Sequence, residues 1–138
     1  MFRKIMVPID LSDAKNPALL IAKKMATQNN AQLTLLHVIE KIEYLPSDET
    51  ETFYLRLKKR GSEKLHKIAE KMNSGGKIVT KIILGNRASS IVEYAEEKGI
   101  DLIVMNSHRI DLKEPNKGWG TISYKVAILS QCPVLLVK

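Results

Sequence analysis

Short apolar runs closed by polar or turn-forming residues alternate along this chain with longer stretches whose apolar positions recur at helical spacing. The first run, "KIMVPID", is nearly continuous and ends at Pro8 and Asp10, which predicts a strand buried on both faces. The following "LSDAKNPALLIAKKMATQNN" has two helix-start signals, Ser12 and the pair Asn16-Pro17, and a proline in the first turn gives up no hydrogen bond. Ala18, Ala22, Met25 and Ala26 fall on one side of that helix, and such small residues suit close packing on a sheet. "AQLTLLHVIE" predicts a second strand, and "KIEYLPSDETETFY" an irregular, mobile polar connection. A long helix then places Leu57, Leu65, Ile68 and Met72 on one side and stops at the glycines of "NSGGK".

"KIVTKIIL" predicts a third strand, after which Gly85-Asn86 turns the chain into the helix "RASSIVEYAEEKG", with Ile91, Val92 and Ala95 inward and Gly99 at its end. "IDLIVMN" reads as a fourth strand, "TISYKVAILS" as a helix burying Ile122, Val126 and Leu129, and "CPVLLVK" as a last strand. Strands alternating with helices imply an α/β protein: an open parallel sheet with helices on both faces. No internal repeat or boundary divides it, so a single domain over 1–138 is expected. Such sheets bind ligands beyond the C-terminal ends of their strands. That rule selects "VPIDLS", "HVIE" and "MNSHRID…GWGT" as the candidate site.

Composition narrows the function. Aromatics are 5 % of the chain, too few for a module that stacks bases on exposed rings. The single cysteine, Cys132, excludes an intrachain disulfide and a cysteine-rich zinc site. No apolar run approaches a membrane span and no secretory signal precedes the first strand, so no membrane role and a cytoplasmic location are expected. The net charge is +7, but much of the lysine lies in "LRLKKRGSEKLHKIAEKM", interleaved with Glu63 and Glu70. This pattern reads as a solvated helix face rather than a nucleic-acid surface.

Several chemistries fail on spacing. "NSGGKIV" lacks the Ser or Thr of a phosphate-binding P-loop and precedes a strand, and the first turn, "PIDLSDAK", has no GxGxxG. A phospho-acceptor receiver would need an Asp after the third strand, which ends "ILGN". Of three histidines, His66 falls on a helix surface, His37 within a strand, and only His108 at the strand-end crevice, beside Ser107. Residues adjacent in sequence seldom face one another, so no catalytic residue is assigned. Asp10, a lone carboxylate, suggests no metal site of its own.

Anion binding fits better. Thr121 is placed to cap the helix that begins near Ile122, whose free N–H groups and dipole favour a phosphate. Gly118 and Gly120 permit close backbone approach, Arg109, Lys113 and Lys117 make the loop electropositive, and Ser123 offers a hydroxyl. A basic loop with an ordinary threonine cap is the competing reading of the same residues.

"KIMVPIDLS", "LTLLHVIE", "DLIVMNSHR" and "GTISYKVAILSQCPVLLVK" together resemble the universal stress protein family over essentially the whole chain. The resemblance implies a five-stranded parallel sheet of order 3-2-1-4-5 and a Rossmann-like fold of the adenine nucleotide alpha hydrolase type. Nucleotide-binding members share a Gly, two residues, a second Gly, nine residues, then Gly-Ser or Gly-Thr. Gly120-Thr121 match the final pair, Asn106 and Arg109 replace the early glycines, and ten residues, Ile110 to Trp119, fill the spacer. Asn106 is expected to keep a left-handed turn, and Arg109 to pair with phosphate.

Carried over by resemblance, Pro8, Ile9 and Asp10 meet adenine and ribose and Val38 covers the adenine. Met105, Asn106, Arg109, Gly120, Thr121, Ile122 and Ser123 complete the site on the phosphate side. The expected ligand is ATP, or ADP or AMP, with Mg2+ as a possible companion, acting as a regulatory ligand and hydrolysed slowly if at all. The resemblance also implies a homodimer through the C-terminal strand, whose apolar edge invites pairing. Were Arg109 and Trp119 to fill the crevice, the chain would instead be a nucleotide-free module for a protein partner.

Overall fold

A computed structural model describes residues 1–11, 15–41, 47–72, 76–114 and 121–138. The order is β1 (Lys4–Pro8), α1 (Pro17–Asn29), β2 (Gln32–Ile39), α2 (Ser47–Met72), β3 (Ile78–Leu84), α3 (Arg87–Lys98), β4 (Leu102–Asn106), α4 (Ile122–Leu129) and β5 (Val134–Val137). All pairings are parallel and the sheet order is β3-β2-β1-β4-β5.

Strand alternation divides the core into two layers. Ile5, Val7, Leu33, Leu35, Leu102 and Val104 pack with Ala18, Ala22 and Ala26 of α1 and with Leu65 and Met72 of α2. Met6, Leu36, Val38, Ile103 and Met105 pack on the other face with Ala88, Ile91 and Ala95 of α3 and Val126 of α4. The alanine stripe of α1 lets that helix lie close on the sheet. Ile5, Met6 and Val7 are fully buried, as a central strand covered on both faces must be.

Two expectations need correction. Ser47–Tyr54 begins α2 instead of prolonging an irregular connection, while Ile42–Pro46 lie outside the described residues. Leu129 is 52 % exposed, because the inward side of α4 is formed by Ser123, Tyr124 and Val126. The start signal at Asn16 holds: its side chain accepts from Leu19 N–H at 3.0 Å and Pro17 opens α1. Ser12 lies outside the described residues.

Gly99 closes α3 at φ 67, where its N–H reaches the carbonyls of Ala95 and Glu96. A Cβ added there would meet nothing within 4 Å, so only backbone strain opposes a side chain. We expect Gly99→Ala to lose about 1 kcal/mol of stability in urea denaturation.

Candidate functional site

The crevice forms where the chain order reverses across the sheet, between β1 and β4, with the end of β2 beside it. β1 contributes Pro8 and, just past its end, Ile9 and Asp10; Ile9 is held by its N–H to Leu36 O at 2.7 Å. β2 contributes Val38, β4 contributes Met105 and Asn106, and the start of α4 contributes Thr121, Ile122 and Ser123. These nine residues border one cavity of about 310 Å³, at the lower end of the size of small-ligand pockets. Arg109, by contrast, is exposed and borders none of it. Gly118, Gly120, Lys117 and Trp119 lie outside the described residues.

Asn106 does not adopt the left-handed backbone expected of it; Asn30 is the non-glycine residue with positive φ among the described residues. Asn106 ends β4 as ordinary extended strand, paired with Val137. Its side chain turns to α1: Oδ1 accepts from Ala18 N–H at 2.8 Å and Nδ2 donates to Asn16 Oδ1 at 2.7 Å. An amide committed to the α1 layer does not plug a cavity whose floor is Met105 and Val38, members of the opposite layer.

That bracket also decides which helix start is open to an anion. In α1 the N–H groups of Ala18 and Leu19 are taken by Asn106 and Asn16. In α3 Asn86 accepts from Ser89 N–H at 3.2 Å. In α4 the cap residue Thr121 makes no side-chain cap, which corrects the expectation for its hydroxyl. Thr121 Oγ1 is buried with no partner among the described residues, as is His108 Nε2. Of these three helix starts, that of α4 alone lacks a hydrogen bond from its cap side chain among the described residues, and it opens into the cavity.

Sequence reasoning passed over part of the wall. Ser107 Oγ and Ser123 Oγ lie 2.9 Å apart and tie the exit of β4 to α4. Ser107 therefore pairs with Ser123 and not with His108, which removes the adjacent dyad. The His108 ring stands edge-on to Tyr124, whose hydroxyl donates to His108 O at 2.8 Å. His37 Nδ1–H donates to Ile9 O at 2.8 Å, so this histidine braces the β1 turn. Arg87 and Ile91 of α3 close the remaining side; the Arg87 guanidinium has Glu40 at 3.9 Å, beyond hydrogen-bond range. Arg87 follows the β3 turn, and its place on the wall had no motif to mark it.

Among the described residues no three His, Cys, Asp or Glu side chains come together to hold a metal, and no helix is long and apolar enough to cross a membrane.

The family model of the universal stress proteins matches residues 1–138. The chain belongs to the universal stress protein family. It is 36 % identical to Universal stress protein YxiE of Bacillus subtilis, over all of both chains. The fold matches a universal stress protein in complex with cAMP at a TM-score of 0.72, with 20 % identity over 99 % of this chain and 97 % of the other. It also matches the universal stress protein from Archaeoglobus fulgidus in complex with dAMP, at a TM-score of 0.68 and 16 % identity, covering 99 % and 98 %. As in other universal stress proteins of this fold, the parallel sheet has order 3-2-1-4-5 with helices on both sides.

Proposed function

We propose that this universal stress protein binds an adenine nucleotide, ATP or its lower phosphates, as a regulatory ligand in the crevice beyond β1, β2 and β4. The observation that carries the reading is the start of α4, where the Thr121 hydroxyl is buried and has no partner among the described residues, opening into a cavity that also presents the apolar Pro8, Ile9, Val38 and Met105. Phosphate suits the helix end, and a flat base suits Pro8, Ile9, Val38 and Met105. Two proteins of the same fold carry cAMP and dAMP, which supports adenine as the base. Asp10, at the same mouth, would face a magnesium ion carried in on the phosphates, a cation that retains water and needs few carboxylates. Gly120 and Arg109 belong to the phosphate side of this reading.

Turnover in this reading is slow at most: Ser107 is tied to Ser123 and His37 to Ile9 O, and His108, which also borders the cavity, has no carboxylate partner among the described residues to orient it as a base. The reading includes a cytoplasmic location, where ATP is available. It also includes a homodimer through β5, supported by the place of that strand at the sheet edge and the exposure of Leu135, Ile128 and Leu129 beside it.

Because the site needs both its ends, ATP should stabilise the fold more than adenosine or tripolyphosphate at equal concentration. At tenfold excess over Kd the ATP effect should be about 1.4 kcal/mol, measured by thermal denaturation. Equal stabilisation by tripolyphosphate and ATP would leave the base wall without a role.

A further inference from the structure

The opposite edge of the sheet carries a feature that nucleotide binding leaves unused. β3 pairs with β2 alone. Leu33 N–H donates to Lys77 O at 3.0 Å and Gly85 N–H to Ile39 O at 2.9 Å, and the register runs from Leu33↔Ile78 to Ile39↔Leu84. In a parallel ladder alternate residues bond to the same neighbour. Val79, Lys81 and Ile83 therefore bond to β2, and Thr80, Ile82 and Leu84 turn their N–H and C=O groups outward. Among the described residues no backbone group pairs with them.

Beside this edge α2 and β3 enclose a groove bordered by Lys58, Lys59 and His66 of α2 and Lys81 of β3. No acidic residue borders it, and no ion pair among the described residues neutralises these lysines. The groove continues past Leu55, 61 % exposed, along Tyr54, Ile82 and Leu84 to Glu51, the acidic residue at its far end. Lysines on an edge strand oppose pairing with a second copy, which would bring its own Lys81 and a chain of net charge +7. The same charges favour a strand of opposite sign.

We propose that the β3 edge and the adjoining face of α2 dock an extended acidic segment of a partner protein, added to the sheet as a sixth strand. Main-chain bonds to Thr80, Ile82 and Leu84 supply the alignment; Lys58 and Lys59 select carboxylates on the α2 face of the added strand.

The probe is a fluorescent octapeptide of alternating Glu and Val, titrated into the full chain and followed by anisotropy and by amide hydrogen exchange. Saturable binding is expected, with exchange slowed at Thr80, Ile82 and Leu84. Reversing Lys58 and Lys59 to Glu, both exposed, should weaken it by about tenfold. Thr80→Pro removes an outward donor at an edge position that tolerates proline, and should cost about fivefold. If that variant does not fold, the charge reversal decides alone. Equal binding of the Lys-Val peptide overturns the proposal. So does binding without slowed exchange, as a single-stranded oligonucleotide would produce. Slowed exchange that rises with protein concentration in the absence of peptide also overturns it, because a second copy then occupies the edge.

Discussion

Thr121→Asp is expected to lose ATP affinity by about 50-fold or more, roughly 2–3 kcal/mol, while its melting temperature holds or rises. The two effects have opposite sign for one reason. Thr121 stands at the cap of α4 without using its hydroxyl, and its carbonyl already receives Lys125 N–H at 3.0 Å. A carboxylate at the same place accepts from Ser123 N–H and complements the helix dipole, which stabilises the fold. It also takes the donors that a phosphate needs and repels the phosphate charge. Thr121→Ala should weaken binding less, because it removes one hydroxyl and leaves the N–H groups open. Calorimetry for affinity and thermal denaturation for stability check both arms. An unchanged Kd in the Asp variant would place the phosphate away from α4.

Asn106→Ala is expected to show the converse, a loss of about 2 kcal/mol of stability with ATP affinity changed less than about threefold. Removing the amide strands Ala18 N–H at the half-buried start of α1 and takes a donor from Asn16. The cavity keeps its shape, because the lost atoms lie on the α1 side of β4. Asn106→Gly, which restores the residue usual in nucleotide-binding relatives, should behave alike, with some further cost from a more flexible strand end. Urea denaturation reads the stability and calorimetry the affinity. A large loss of affinity at unchanged stability would mean that this amide faces the ligand.

These two residues also mark what was legible in the sequence. Every strand was readable, because a doubly covered sheet demands runs such as "KIMVP" and "LIVMN" whatever the rest of the chain does. Strand-end geometry pointed to the crevice, and Pro8, Ile9, Asp10, Val38 and Met105 border one cavity there. The role of Asn106 was not readable, since its partner Asn16 lies 90 positions away and only the folded chain joins them. The start of α2 was missed because its first two turns lack an apolar stripe. The acidic run Asp48, Glu49 and Glu51 was the available signal, favourable at a helix start. Leu129 was misplaced because an eight-residue helix barely exceeds two turns, too short for periodicity to fix its inward side. Arg87 joined the wall through the β3–α3 turn, a placement set by the tertiary fold.

The most direct test of the account is calorimetric titration of nucleotide-stripped protein with ATP, with and without magnesium. The account predicts micromolar binding at one nucleotide per chain, with the Asn106 and Arg109 replacements tolerated. Absence of heat, together with no thermal stabilisation at millimolar ATP, would contradict it. The crevice beside α4 would then be a closed remnant of the family's site.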